Sequence, residues 1–454
     1  MASTLANPAP AEIGQTTLEG LPPGPGLPPL VQTLAWALAP TALMDRCRRR
    51  RGEAFMLTFF PSGRELVVLS DPAAVKTLLT APAEVAPSAA GDTPIASVLG
   101  PRSVITLTGA EHMRQRKLLL PPFHGERMRA YEHTIVSATE RDMAGWPIGQ
   151  PMKLSTHTRA ITLEVILRAV FGVQDERTGI ELAGAIGELA EPARTWAMLR
   201  FALSRPSNDG PPGALGAALE RLNGLIYAEI ARRREQADLA EREDILSLLL
   251  QARDEDGQAM TDGELRDELV SLLLAGHETT STATAWALER LVRHPQALAR
   301  LIAEIDAGEE DAYMQAVIHE TLRCRPVVPG VVRLLREPLS LAGYELPAGT
   351  RVIASAYLTN TNPRVYDEPR EFRPERFLDT PPDTFAWIPF GGGIRRCIGA
   401  SFAMLEMKLM LRTMLSQLRP SVPPRTVWRH GEWRRRRAIT LVPAAGARVV
   451  WSRR

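Results

Sequence analysis

Residues 390–399 read Phe390-Gly391-Gly392-Gly393-Ile394-Arg395-Arg396-Cys397-Ile398-Gly399. Three consecutive glycines permit backbone paths closed to residues with a side chain. They deliver Cys397 to the start of an apolar helical stretch, Ala400 to Leu418. A cysteine just before a helix meets free amide N–H groups and the positive end of the helix dipole, and both favour a thiolate. Arg395 adds positive charge, suited either to steady that thiolate or to pair with a cofactor carboxylate. A glycine-rich turn before a helix also cradles phosphate in some proteins, but there is no P-loop lysine and no Gly-x-Gly-x-x-Gly after a strand-like run. A lone cysteine is usually an inert core residue, so the rest of the chain must decide.

Working outward, residues 361–389 are irregular and rich in Pro and Arg, and β-like runs at Val331 to Leu335 and Arg351 to Ala354 precede them. From Ala110 to Arg323 the apolar residues follow the 3.6-residue helical period, most clearly over Leu215 to Arg234, Glu243 to Ala252 and Met260 to Arg293. In the last of these, Thr261 and Glu264 form a capping box and His294-Pro295 is a stop. The helix between them is roughly 33 residues, about 50 Å, long enough to cross the molecule. At its centre Ala275, Gly276, Thr279 and Ala283 share one face. This stripe of small side chains admits something flat or another backbone, and taken alone it reads as a close helix crossing. Gly276 costs about 1 kcal/mol against alanine, and Thr279 is able to turn its hydroxyl onto a backbone carbonyl.

Both ends carry β-like runs. Residues 1–29 are a Pro- and Gly-rich lead-in, and Leu30 to Met44 is apolar and read as a packed helix. Ala54 to Phe59 and Glu65 to Leu69 flank the turn Pro61-Ser62-Gly63, and Asp71-Pro72 starts a helix. The tail contributes Ile439 to Val442 and Arg448 to Trp451. The fold class is therefore mainly α with a smaller β portion drawn from both ends, which predicts one interlocked domain over residues 30–454.

The loop at Cys397 resembles the haem-binding signature of the cytochrome P-450 superfamily at Phe390, Gly393, Arg395, Cys397 and Gly399. Further landmarks of that family stand in the right order. Ala275-Gly276-x-Glu278-Thr279-Thr280 resembles its oxygen-activation motif, Glu320-x-x-Arg323 its K-helix pair, and Pro374-Glu375-Arg376-Phe377 its meander motif. His112-x-x-x-Arg116 matches the bacterial form of its haem-propionate contacts, and Arg333 stands where another such contact is placed. The likeness spans at least residues 20–450.

The resemblance implies the P-450 fold, with haem b held between the long helix and the Cys397 loop and Cys397 as the iron ligand. It implies cofactor contacts at His112, Arg116, Arg333, Arg395, Phe390, Gly393, Gly399, Ala275 and Gly276, with Thr279 and Glu278 serving oxygen and proton delivery. Glu320, Arg323 and Arg376 become a structural triad. By the same likeness the pocket walls are residues 93–106 (Ile95, Val98, Leu99, Ile105), residues 196–203 (Met198, Leu199), Leu272 and Ala275, Val328 and Val331, and Ile439. These side chains are mostly aliphatic, so the substrate is a lipophilic small molecule. The stretch Gln115 to Met128 resembles a bacterial branch that oxidises fatty acids, terpenoids and steroids. Arg102 and Arg200 read first as exposed surface residues, with anchoring of a substrate carboxylate as the alternative.

The implied reaction inserts one atom of O2, with electrons from a ferredoxin or flavodoxin and its reductase. Arg114, Lys117, Arg396, Lys408 and Arg412 are candidates to steer an acidic partner. The rival readings are a haem-thiolate rearrangement enzyme, an isomerase or dehydratase needing no reductant, and a haem-binding sensor without turnover.

Charge and composition exclude other classes. Fifty-four basic against 52 acidic residues leave +2, which gives no reason for nucleic acid as a partner. The runs Arg48 to Arg51 and Arg434 to Arg437 read as solvated charge or membrane-surface affinity. Cys47, Cys324 and Cys397 are too few for a disulfide framework, and Cys47 and Cys324 read as ordinary residues. No stretch reads as a signal peptide or transmembrane anchor. The chain reads as a cytoplasmic monomer.

Overall fold

The computed structural model describes residues 20–454 apart from 94, 126, 173–175, 191–210, 212, 309 and 425–430. Its elements begin with α1 (Pro29–Leu38), α2 (Pro40–Arg51), β1 (Ala54–Phe59), β2 (Arg64–Leu69), α3 (Pro72–Thr80), α4 (Ala96–Leu99), α5 (Gly109–Leu119), α6 (Arg127–Met143), β3 (Pro151–Lys153), α7 (Leu154–Phe171) and α8 (Glu176–Ala190). They continue with α9 (Ala214–Arg234), α10 (Ile245–Gln251), α11 (Asp262–Leu291), α12 (Pro295–Ala307), α13 (Ala312–Cys324), β4 (Val331–Leu334), β5 (Leu339–Leu341), β6 (Tyr344–Leu346) and β7 (Arg351–Ala354). The last are α14 (Ala356–Thr359), α15 (Ala400–Gln417), β8 (Leu418–Ser421), β9 (Arg434–Arg437), β10 (Thr440–Pro443) and β11 (Arg448–Arg453).

Local chemistry sets several of these boundaries. The Asp71 carboxylate caps α3 by accepting from the Ala74 N–H, with Pro72 at the first helical position. Thr261 and Glu264 close a reciprocal capping box at the start of α11. That helix runs 30 residues, about 45 Å. It is buried almost throughout its second half, from Thr280 to Leu291, so it forms the axis of the core. Strand pairing ties the chain ends together. The sheet β1-β2-β7-β4 joins residues 54–69 to residues 331–354, and the sheet β3-β11-β8 joins residues 151–153 to the C-terminus.

Three expectations are corrected. Leu30 to Met44 is not one packed helix. Pro40 cannot continue α1, because its ring would clash with the preceding turn, so α2 starts there. Leu30, Val31, Leu34 and Leu38 are exposed. The side of α1 that packs is held by Gln32, bonded to Leu27 and Thr58, and by Trp36, whose ring lies 5.7 Å from Phe59. Arg434 to Arg437 is not a solvated run but strand β9. Arg434 stacks on Tyr357 and donates to the Cys324 carbonyl, and Arg436 stacks on Trp36. In the other run only Arg48 turns inward, to the carbonyls of Leu358 and Thr361, while Arg49, Arg50 and Arg51 are exposed as expected. The planar guanidinium makes this possible, since it stacks on rings and satisfies carbonyls together.

Candidate functional site

The glycines of the Cys397 loop are required individually. Gly391 and Gly393 have φ of +67° and +64°, and a Cβ on Gly393 would lie 2.1 Å from the Leu79 carbonyl oxygen. Only glycine lets the loop press against the end of α3. The turn closes when the Cys397 N–H donates to the Phe390 carbonyl at 2.9 Å. Phe390 packs edge-on against Trp387, whose Nε1 donates to the His319 carbonyl of α13. Gly399 caps α15, and a Cβ there would meet nothing within 4 Å.

Cys397 is surrounded by protein, yet the residue itself is exposed. A residue that is both deep and accessible lines an internal chamber. Burial pushes its thiol up, opposed by a hydrogen bond from Gly399 and by the charges of Arg116 and Arg396. A thiolate here calls for a further positive charge, which a metal ion on the sulfur supplies.

The middle of α11 also leaves small residues uncovered. Ala275 is exposed although Leu273 and His277 beside it are buried, and Thr279 is half-buried. The Thr279 hydroxyl donates to the Ala275 carbonyl at 2.6 Å. Gly276 faces elsewhere, because a Cβ on it would lie 2.9 Å from Ile166 Cδ1 of α7. The small-residue stripe therefore divides. Gly276 turns its Cβ direction to α7, whereas Ala275 is left exposed and Thr279 half-buried. Glu278 lies between two guanidinium groups, Arg159 of α7 at 3.2 Å and Arg437 of β9 at 3.5 Å. Burial raises its carboxyl and Arg159 opposes the rise. Neither arginine was legible as its partner, because both are distant in sequence.

His112, Arg116, Arg333 and Arg395 converge at the chamber rim. Each has its pKa lowered, first by burial and, for all but Arg333, also by neighbouring positive charges, with Cys397 opposing the fall at Arg116. His112 falls to about 4, and Arg333 and Arg395 to about 10. Their recorded partners are backbone carbonyls: Val332 for Arg333, and Val104, Ile105 and Leu107 for Arg395. The buried Nδ1 of His112 has no partner, and among the described residues no carboxylate pairs with the cluster. Burying like charges together is costly unless an anion joins them. The residues present therefore fit a group with acidic substituents at this rim and an atom for the sulfur below.

The structure also joins Glu320, Arg323 and Arg376. Arg323 grips Glu320 through Nε at 2.6 Å and Nη2 at 2.8 Å, both side chains being wholly buried, and Arg376 approaches the same carboxylate at 3.2 Å. Arg323 also donates to the carbonyls of Asn360, Pro369 and Glu371. Asn360, which the sequence reading passed over, accepts from the Ile388 N–H and so links this network to the Cys397 loop. Of the expected pocket walls, Val98 and Leu99 are buried. Ile95, Ile105, Leu272, Val328 and Val331 are half-buried, and Ile439 is exposed at the turn between β9 and β10. Met198, Leu199 and Arg200 lie outside the described residues. Arg102 is exposed.

The basic residues read as steering groups are mostly engaged already. Arg114 pairs with Asp254 and Glu264, Lys117 with Glu255, and Lys408 and Arg412 with Asp311. Arg396 is exposed and, among the described residues, pairs with no acid. No helix among the described residues is long and apolar enough to cross a membrane.

The family model described as Cytochrome P450 matches residues 22–441. A curated relative from Mycobacterium tuberculosis, "Putative cytochrome P450 135B1", is 39% identical over 96% of this chain and 92% of its own length. Another from the same species, "Putative cytochrome P450 137", is 39% identical over 89% of this chain and 84% of its own. Among solved structures, retinoic acid-bound cyanobacterial CYP120A1 superposes with TM-score 0.81 at 26% identity, covering 96% of this chain and 99% of that one. The haem domain of cytochrome P450DA gives TM-score 0.81 at 23% identity, covering 95% and 98%, a likeness of fold.

Proposed function

Because the chain belongs to the cytochrome P450 family, with the haem b cofactor and general haem-thiolate monooxygenase chemistry of that family, we propose that it inserts one atom of O2 into a lipophilic small molecule. The observation that carries this reading is the pairing of an exposed Cys397 with three buried or half-buried guanidinium groups, Arg116, Arg333 and Arg395, that no carboxylate among the described residues neutralises. Bound haem supplies an electron-rich iron at which dioxygen is reduced and its O–O bond cleaved. Everything else falls to the polypeptide.

In this proposal Cys397 holds the iron, and Gly391 and Gly393 give the loop the path that presents its sulfur. His112, Arg116, Arg333 and Arg395 take the two propionates, replacing mutual repulsion with charge-assisted hydrogen bonds. Ala275 would leave room for the group beside α11, and Phe390 and Gly399 would flank Cys397 where it holds the iron. Thr279 releases its hydroxyl from the Ala275 carbonyl to hold a water or oxygen atom at the site. Glu278 passes protons from outside, with Arg159 and Arg437 holding its carboxyl in place.

The aliphatic walls favour a lipophilic substrate, and the retinoic acid named for the cyanobacterial neighbour is of that class. Electrons come from a separate ferredoxin or flavodoxin system, with Arg396 the remaining candidate to meet an acidic partner. We extend the proposal to a cytoplasmic, monomeric protein. Thr279 and Glu278 together favour reductant-dependent turnover over rearrangement or sensing. Turnover of a lipophile that shifts the haem spin state tests this: product should require both reductant and O2. Thr279→Ala should consume electrons at a similar rate while product per electron falls roughly tenfold or more. Product without reductant would overturn the monooxygenase reading, and unchanged coupling would overturn the role of Thr279.

A further inference from the structure

We propose that Glu268, as a neutral acid, is the positioning residue that latches segment 98–107 onto α11, and that removing its proton loosens this wall of the substrate pocket. The inference rests on the reading of Val98, Leu99 and Ile105 as pocket wall. Four α11 side chains hold the segment. Arg266 donates to the carbonyls of Val98 and Leu99, at 3.3 Å each, and Asp267 accepts from the Arg102 N–H at 2.9 Å. Glu268 Oε1 accepts from the Val104 N–H at 2.7 Å, and the Ser271 and Ser103 hydroxyls meet at 2.6 Å. Gly100, at φ +93°, lets the backbone come so close that a Cβ would lie 2.1 Å from Asp267 Oδ1.

Glu268 differs from its neighbours in being uncompensated. Asp267 pairs with Arg266 at 2.8 Å. Glu268 is wholly buried, its Oε2 has no partner, and among the described residues no cation pairs with it.

The charges around it do not help. On its own helix Glu264 and Asp267 repel it, and Arg266 is turned toward Asn223 of α9 and the segment's carbonyls. On the segment Arg102 is exposed. From α5, Arg114 is committed to Asp254 and Glu264, and Gln115 is neutral. On α7, Arg159 pairs with Glu278, Arg168 with Glu164, and His157 with Asp142. Neither α4 nor α10 carries a titratable side chain. Burial first, and then the two acids, push the Glu268 carboxyl up to about 8, against the pull of the Val104 N–H.

The folded state therefore keeps a proton that the unfolded chain releases above its ordinary carboxylate pKa. Stability falls as pH rises from there toward about 8, beyond which the latch is a buried charge without a partner. Glu268→Gln keeps an acceptor oxygen for Val104 and has no proton to lose.

Amide hydrogen exchange of residues 98–107 in the haem-loaded enzyme, expressed as protection factors at about pH 6 and 9, tests the latch. In wild type, protection should fall roughly tenfold or more across that range, with α15 as the internal reference, and in Glu268→Gln it should stay within about twofold. A flat wild-type profile overturns the latch even if the variant fails to fold, and so does an equal fall in both proteins. Binding of N-dodecylimidazole in the same samples separates the premise. Weaker binding to wild type at high pH, absent in Glu268→Gln, supports latch and pocket wall together. Segment release with unchanged binding keeps the latch and overturns the pocket-wall reading.

Discussion

His112, Arg116, Arg333 and Arg395 are individually unremarkable in the sequence, and His112 and Arg116 four apart would ordinarily decorate a surface. Burial turns them into a statement about a ligand, because each is held at a disadvantage by its environment and, among the described residues, no carboxylate relieves it. Arg333 is the cleanest probe, since the one hydrogen bond recorded for its guanidinium goes to the adjacent Val332 carbonyl. Arg333→Met should stabilise the haem-free protein by about 1 kcal/mol, as apolar replacement of a poorly compensated buried charge often does. The same change should make the loaded protein release haem faster. Paired thermal denaturation and haem transfer to an acceptor protein read the two effects, and a loss of stability in the haem-free form would contradict the account. At this scale Cys397, His112 and Arg116 were legible because their spacing is local. Arg159 and Arg437 beside Glu278 were not, since tertiary structure alone brings α7 and β9 to one carboxylate.

Among elements, α11 was the most legible. Thr261, Glu264 and His294-Pro295 mark its ends, and the capping box is present as read. Less legible was which way each small residue in its centre faces, because one stripe serves two neighbours. Gly276→Ala tests the division. The added methyl gains about 1 kcal/mol of helix propensity but meets Ile166 Cδ1 at 2.9 Å. On its own the substitution should be neutral or destabilising. In an Ile166→Val background it should stabilise by about 1 kcal/mol, with haem content unchanged in both, as denaturant melts and absorbance would record. Loss of haem in the double variant would return Gly276 to the cofactor's side. The elements missed were short ones. The strands β3 and β8 contain Pro151 and Pro420, which count against strand in a sequence. The arginines of β9 read as solvated charge because nothing local reveals that Trp36 and Tyr357 will stack on them.

At the scale of the whole molecule, the chain ends are woven into sheets with its middle, and the Glu320, Arg323 and Arg376 network fastens α13 to the segment leading into the Cys397 loop. The β portion from both ends was legible from alternating runs, and the triad from its motifs alone. The surface was not: the charges that seemed free for a partner are mostly neutralised within the fold. In the proposed function this architecture presents the Cys397 sulfur to the haem iron and the basic rim to the haem acids. The most direct test is the absorption spectrum of the reduced, carbon monoxide-bound protein, recorded for wild type and Cys397→His. The account predicts the strongly red-shifted band of a thiolate-ligated haem in wild type and its replacement by an imidazole-type band in the variant. An imidazole-type band in correctly folded wild type, or no haem at all, would contradict it.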